Sequence, residues 1–98
     1  MRIIARRTLQ AFWEDPRYRD AEQPLRAWHT EVKRAGWRTP AQIKAAHRSA
    51  SVLANRVVFN IAGNRYRLVV AVKYTAQIVF VRFVGTHARY DAIDAEGV

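Results

Sequence analysis

The hydrophobic repeat of this chain changes at Asn55. Before it, apolar residues recur every three or four positions; after it, they recur at every second position. The first spacing lines one side of a helix and the second lines one face of a strand. The chain therefore divides into a helical half and a sheet-forming half, which predicts an α+β fold: a small, mainly antiparallel sheet packed against N-terminal helices. Ninety-eight residues suit one domain, residues 1–98.

In the helical half, Leu9, Phe12 and Trp13 share one side of a first helix, which Asp15-Pro16 ends. Asp20 with Gln23 three residues later has the form of a capping box, opening a second helix whose stripe is Leu25, Trp28, Val32 and Ala35. Pro24 falls within its first turn, where a missing N–H costs nothing, and Gly36 closes it. Thr39-Pro40 with Gln42 opens a third, short helix that fades near His47. The spacing of Trp13, Trp28 and Trp37 assigns them to the core, and His29 and His47 are read as packing or surface residues.

Met1 to Ala5 is expected to form a short first strand, and three more are expected in the second half. Val57, Phe59 and Ile61 share one face, with Arg56, Val58 and Asn60 on the other; Gly63-Asn64 should supply the positive φ angles of a hairpin. The next strand alternates Tyr66, Leu68, Val70 and Val72 with Arg65, Arg67, Val69, Ala71 and Lys73, giving one greasy and one cationic face. The last is read over Ile78 to Val84, ended by Gly85, with a turn or short helix over Thr86 to Asp94.

Charge narrows the function. The 17 Lys and Arg outnumber the 8 Asp and Glu, and no acid lies between Val32 and Tyr90, a window holding 11 of the cations. Such a segment attracts a polyanion, and nucleic acid is the leading partner class. Arginine supplies 14 of the 17 cations, and its planar fork suits bidentate phosphate contacts. With no cysteine, neither a disulfide framework nor a thiolate zinc site is available. The longest purely apolar run, Leu68 to Val72, is far below the ~20 residues that cross a bilayer. No signal-peptide core follows Met1-Arg2-Ile3-Ile4, so no membrane partner is expected and the cytoplasm is the expected location.

Alignment of side chains by face across antiparallel strands places Asn60, Arg67 and Arg82 as expected neighbours on one surface, with His87 and Tyr90 just beyond. A surface of cations, amides, an imidazole and a phenol, with no carboxylate, suits a phosphodiester better than Mg²⁺. RNA carries its own nucleophile in the 2′-hydroxyl. A site without metal or cofactor then needs alignment, a proton acceptor, charge stabilisation on phosphoryl oxygens and a donor to the leaving 5′-oxygen.

The stretch from Asn55 through Val72, followed by Val81 through Asp91, resembles the HigB-type toxins of toxin–antitoxin pairs, within the RelE/ParE-like group. The opening Met1-Arg-Ile-Ile-Ala-Arg and the Asp20-Ala-Glu-Gln-Pro-Leu stretch are similar to the same family. The resemblance implies a β-α-α-β-β-β core, metal-independent cleavage of translated mRNA in the ribosomal decoding site beside rRNA, and neutralisation by a HigA-type antitoxin that is also a helix-turn-helix DNA-binding repressor. Arg67 takes the place of a phosphate-binding Arg, His87 that of a catalytic Arg or His, and Tyr90 that of a C-terminal Tyr; Arg82 joins them as a candidate catalytic residue. Arg56, Asn60, Asn64, Arg65, Lys73 and Arg89 are candidate RNA contacts, although asparagine near a hairpin is more usually turn chemistry. Some RelE-like toxins carry lysines on the strand before the hairpin, where this chain has Arg56, Val58 and Asn60, which leaves the general base unassigned. A non-catalytic nucleic-acid-binding module and a ParE-like gyrase-inhibiting toxin are the alternatives.

Overall fold

The computed structural model describes residues 1–98. Five strands form one sheet: β1 (Arg2–Ile4), β2 (Ser51–Val52), β3 (Val57–Ile61), β4 (Tyr66–Lys73) and β5 (Ile78–Thr86). Their spatial order is β1-β5-β4-β3-β2, with β1 parallel to β5 and every other pairing antiparallel. The helices are α1 (Arg6–Glu14), α2 (Glu22–Arg34), α3 (Pro40–Ala46) and α4 (His87–Asp91), with a 3-10 turn over Pro16–Ala21. The α+β architecture expected from the change of period is thus present. The two-residue strand β2 escaped the sequence reading because it is too short to display any period.

Side-chain caps open the 3-10 turn and α3. Asp15 ends α1, and its carboxylate then accepts the Arg17 N–H at 3.0 Å, so one residue closes a helix and caps the 3-10 turn. Thr39 accepts the Gln42 N–H at 3.3 Å, with Pro40 in the first position of α3. The expected Asp20–Gln23 capping box is absent. The residue before α2 is Ala21, which makes no side-chain cap, and the Asp20 carboxylate instead accepts hydrogen bonds from the Tyr66 hydroxyl and the Arg65 guanidinium. A long-range pair that ties the hairpin to the helical layer has displaced a local one.

One face of the sheet carries the main core. Phe59, Ile61, Tyr66, Leu68, Val70 and Val79 meet Leu9, Trp13, Leu25, Trp28, Val32 and Ile43 from the helices, with no buried polar or charged residue among them. Fully burying a side chain of this size contributes about 1.5–3 kcal/mol. Phe59 is an aromatic hub: Trp28 meets it edge-on at 5.5 Å between centroids, Trp37 stacks at 6.3 Å, and His47 approaches at 5.0 Å. All three tryptophans are buried as expected.

Two backbone expectations are corrected. The positive φ angles of the β3–β4 hairpin fall on Ala62 (54°) and Gly63 (68°), one residue earlier than Gly63-Asn64. Gly85 does not end the last strand, which continues to Thr86; it lies opposite Arg67, and the Phe83 ring occupies the space a Cβ would need.

Candidate functional site

The other face of the sheet holds the sequence-identified residues, and register decides which of them meet. Asn60 pairs with Arg67, and Arg67 pairs with Gly85, so these positions form one row across β3, β4 and β5. Arg82 is not in that row. Val69 pairs with Phe83 while Val70 pairs with Val81, which makes Arg82 the extra residue of a β-bulge. Its guanidinium lies 5.4 Å from the Phe80 ring centroid, toward the opposite end of the strand. The expected Asn60–Arg67–Arg82 neighbourhood is therefore corrected: strict alternation cannot reveal an inserted residue.

Around Arg67 the geometry is closely determined. Its guanidinium donates to Asn64 Oδ1 at 2.8 Å and sits 5.9 Å from the centroid of the Tyr90 ring. Thr86 caps α4 by accepting the Arg89 N–H at 3.2 Å, while the His87 N–H donates to the Arg65 carbonyl at 3.1 Å. Tyr90 lies three residues after His87 on this helix, one turn away, so contact between Arg67 and Tyr90 brings the imidazole to the same end of the sheet. That imidazole is half exposed rather than turned into the core.

The surface is not free of carboxylate. His87 Nδ1 lies 3.1 Å from Asp91 Oδ2. The acid stands beside Nδ1, which leaves Nε2 as the nitrogen available to a ligand. Asp91 was missed as a functional neighbour, although its spacing four residues from His87 is a legible helical-pair signal. The chain after α4 then crosses the sheet: Ala95 packs on Val58 and Val69, flanked by Leu53, Phe83, Tyr90 and Val98. The expected cationic face is corrected accordingly, since its centre is apolar and roofed, and the roof carries Asp94 and Glu96.

The remaining candidates are dispersed. Asn60 Nδ2 donates to the Ser49 carbonyl at 3.2 Å, tethering the segment before β2. Arg56 donates through Nε to the Val98 carbonyl at 3.1 Å and through a terminal nitrogen to the Asn55 carbonyl at 2.8 Å. Arg65 pairs with Asp20, while Lys73 and Arg89 are exposed. The Tyr66 hydroxyl is pushed up to about 12, first by desolvation and then by its bond to Asp20; the Asp20 carboxyl is held below its ordinary value, chiefly by Tyr66 and then by Arg65. Burial, then Arg6 and Lys33, lowers the pKa of His29, which lies outside this face.

A five-stranded mixed sheet packed against several helices is consistent with a RelE-like fold. A family model for HigB toxins, described as the RelE-like toxic component of a toxin–antitoxin system, matches residues 21–93. The chain belongs to this family, which implies an antitoxin partner. No curated protein matches the chain. No helix is long and apolar enough to cross a membrane.

Proposed function

We propose that this toxin is an endoribonuclease that cleaves translated mRNA, working in the cytoplasm within the ribosomal decoding site and restrained by a HigA-type helix-turn-helix antitoxin. The observation that carries the reading is the convergence of Arg67, Tyr90 and His87 at one end of the sheet in a RelE-like toxin. The 2′-hydroxyl attacks the adjacent phosphorus, the P–O5′ bond breaks, and the products are a 2′,3′-cyclic phosphate and a 5′-hydroxyl. Arg67, oriented by Asn64, binds the non-bridging oxygens as negative charge accumulates on them. With Asp91 beside Nδ1, His87 presents Nε2 and its proton to the leaving 5′-oxygen as general acid. Tyr90 supports Arg67 through its ring face and offers a stacking surface to a base. The 2′-hydroxyl proton passes to a base, and none of these steps uses a metal or cofactor.

The test is a translated mRNA carrying one 2′-deoxynucleotide at the mapped cleavage position. Cleavage should vanish there and persist in the all-ribose message. Undiminished cutting of the deoxy-substituted message would overturn the mechanism. Intact messages with broken chromosomal DNA would transfer the reading to gyrase poisoning.

A further inference from the structure

At the end of the sheet remote from His87, strand lengths do not match. Pairing between β3 and β4 stops at Val57 opposite Val70, yet β4 continues to Lys73. The chain entering β3 turns away over Leu53 to Arg56, and a cleft of about 480 Å³ opens in the gap. Its lining is apolar at Val52, Leu53 and Ala71 and cationic at Arg56, Lys73 and Arg82, with Tyr74 beside them and no acidic side chain. Val52 is 43% exposed and the one large hydrophobic residue left so open to solvent. Lys73 and Arg82 are both exposed.

An apolar floor beneath a cationic rim fits a ligand that is flat and apolar in one part and anionic in another. A nucleotide has that character: the base covers Val52 and Ala71, and flanking phosphates meet Lys73 and Arg82. The volume is also within the usual range for small-ligand sites, about 300–1,000 Å³. Six residue steps along β4 separate Arg67 from Lys73, a distance of ~20 Å at ~3.3 Å per residue. An extended single strand of several nucleotides covers it, passing the Ala95 roof between the two ends. The β-bulge at Arg82 gains a role in this arrangement, since the inserted residue brings a guanidinium to the cleft.

We propose that this cleft is a second RNA subsite, holding a base and its phosphates of the same strand whose scissile bond lies at Arg67 and His87. The inference rests on the RNA-cleaving reading above and extends it to the substrate's remote nucleotides. The occupant is single-stranded RNA, because every charged side chain of the cleft is cationic and its floor is apolar; a duplex, whose bases are stacked inside, has none to place on Val52.

Fluorescence anisotropy with 2′-O-methyl RNA, which lacks the nucleophile, tests the inference at low salt, with cleavage of translated mRNA measured in parallel. The full chain should bind an 8-mer at least tenfold more tightly than a 3-mer. In Lys73→Ala/Arg82→Ala that advantage should shrink to twofold or less, with 3-mer affinity unchanged and a shallower salt dependence for the 8-mer. Circular dichroism verifies that the variant is folded, and Lys73→Gln/Arg82→Gln repeats the measurement with longer side chains retained. Cleavage accompanied by equal 3-mer and 8-mer affinities, or by a length advantage the variants retain, overturns the cleft and leaves the nuclease reading standing. Absence of cleavage overturns both. A glutamate-rich peptide that the cleft binds more tightly than the 8-mer also overturns the subsite, and assigns the cleft to an acidic protein segment instead.

Discussion

Val57 and Val58 are adjacent on β3, identical in type and equally buried at 3% exposure, yet they belong to different worlds. Val57 joins the 16-residue core beneath the helices; Val58 joins a cluster of three, covered by Ala95 from the chain's last turn. The helix-side face is held by many mutually supporting apolar contacts. The opposite face has a thin apolar centre with cations at both ends. Stability is concentrated on one side of a single sheet, and groups suited to an anionic ligand on the other.

The largest stability effect is expected at the hub of the first face. Phe59→Ala should cost about 3–5 kcal/mol in chemical denaturation, by cavity formation among Trp28, Trp37 and His47. On the second face, Arg67→Ala should leave the thermal midpoint nearly unchanged and lower mRNA cleavage by roughly 10²–10³, the usual loss for one charge-stabilising donor. A matched loss of stability in Arg67→Ala would erase the functional division between faces.

The valine pair sharpens the comparison. Val57→Ala should cost about 1.5–3 kcal/mol whether or not residues 92–98 are present. Val58→Ala should cost less in the intact chain and less again once 92–98 are removed, because the cover that Ala95 and Val98 provide is then gone. Equal costs in both backgrounds would show that Ala95 does not close the second cluster.

A pH series probes the link between hairpin and helices. The Asp20 carboxyl is held below 3.8 in the folded chain, so its contribution is present above that pH and fades as acid protonates it. Tyr66 is raised to about 12, so the folded chain retains a proton that the unfolded chain releases near 10; stability should fall between those values. Tyr66→Phe should reduce the alkaline decline to the part that half-buried Tyr74 supplies, and Asp20→Asn should reduce the acid one to the part carried by Asp15, whose carboxyl Arg17 also holds low. The smallest effect is expected at Ala62→Gly, a gain of up to about 1 kcal/mol from relieving a left-handed residue at φ 54°, measured by thermal melting.

The faces also differ in how far their sequence reveals them. The helix-side face was legible because burial imposes a period, and Leu25, Trp28, Val32, Leu68 and Val70 all lie where that period places them. Arg67, Tyr90 and His87 were legible as residues and are brought to one end of the sheet. What could not be read is whatever departs from a regular repeat. An inserted residue carries Arg82 away from Arg67, a non-glycine Ala62 adopts positive φ, and Asp20 exchanges a local cap for partners about 45 residues distant. The return of the terminal segment over Val58 and Val69 is likewise a tertiary event, and it brings acids to a face whose own strands have none.

Cleavage of RNA where Arg67, Tyr90 and His87 gather is tested by 5′-end sequencing of transcripts after brief induction of the wild-type chain and of folded Arg67→Ala and His87→Ala variants. New ends confined to translated regions in the wild type, reduced at least a hundredfold in both variants, are the predicted result. Ends of undiminished frequency in either folded variant would contradict it.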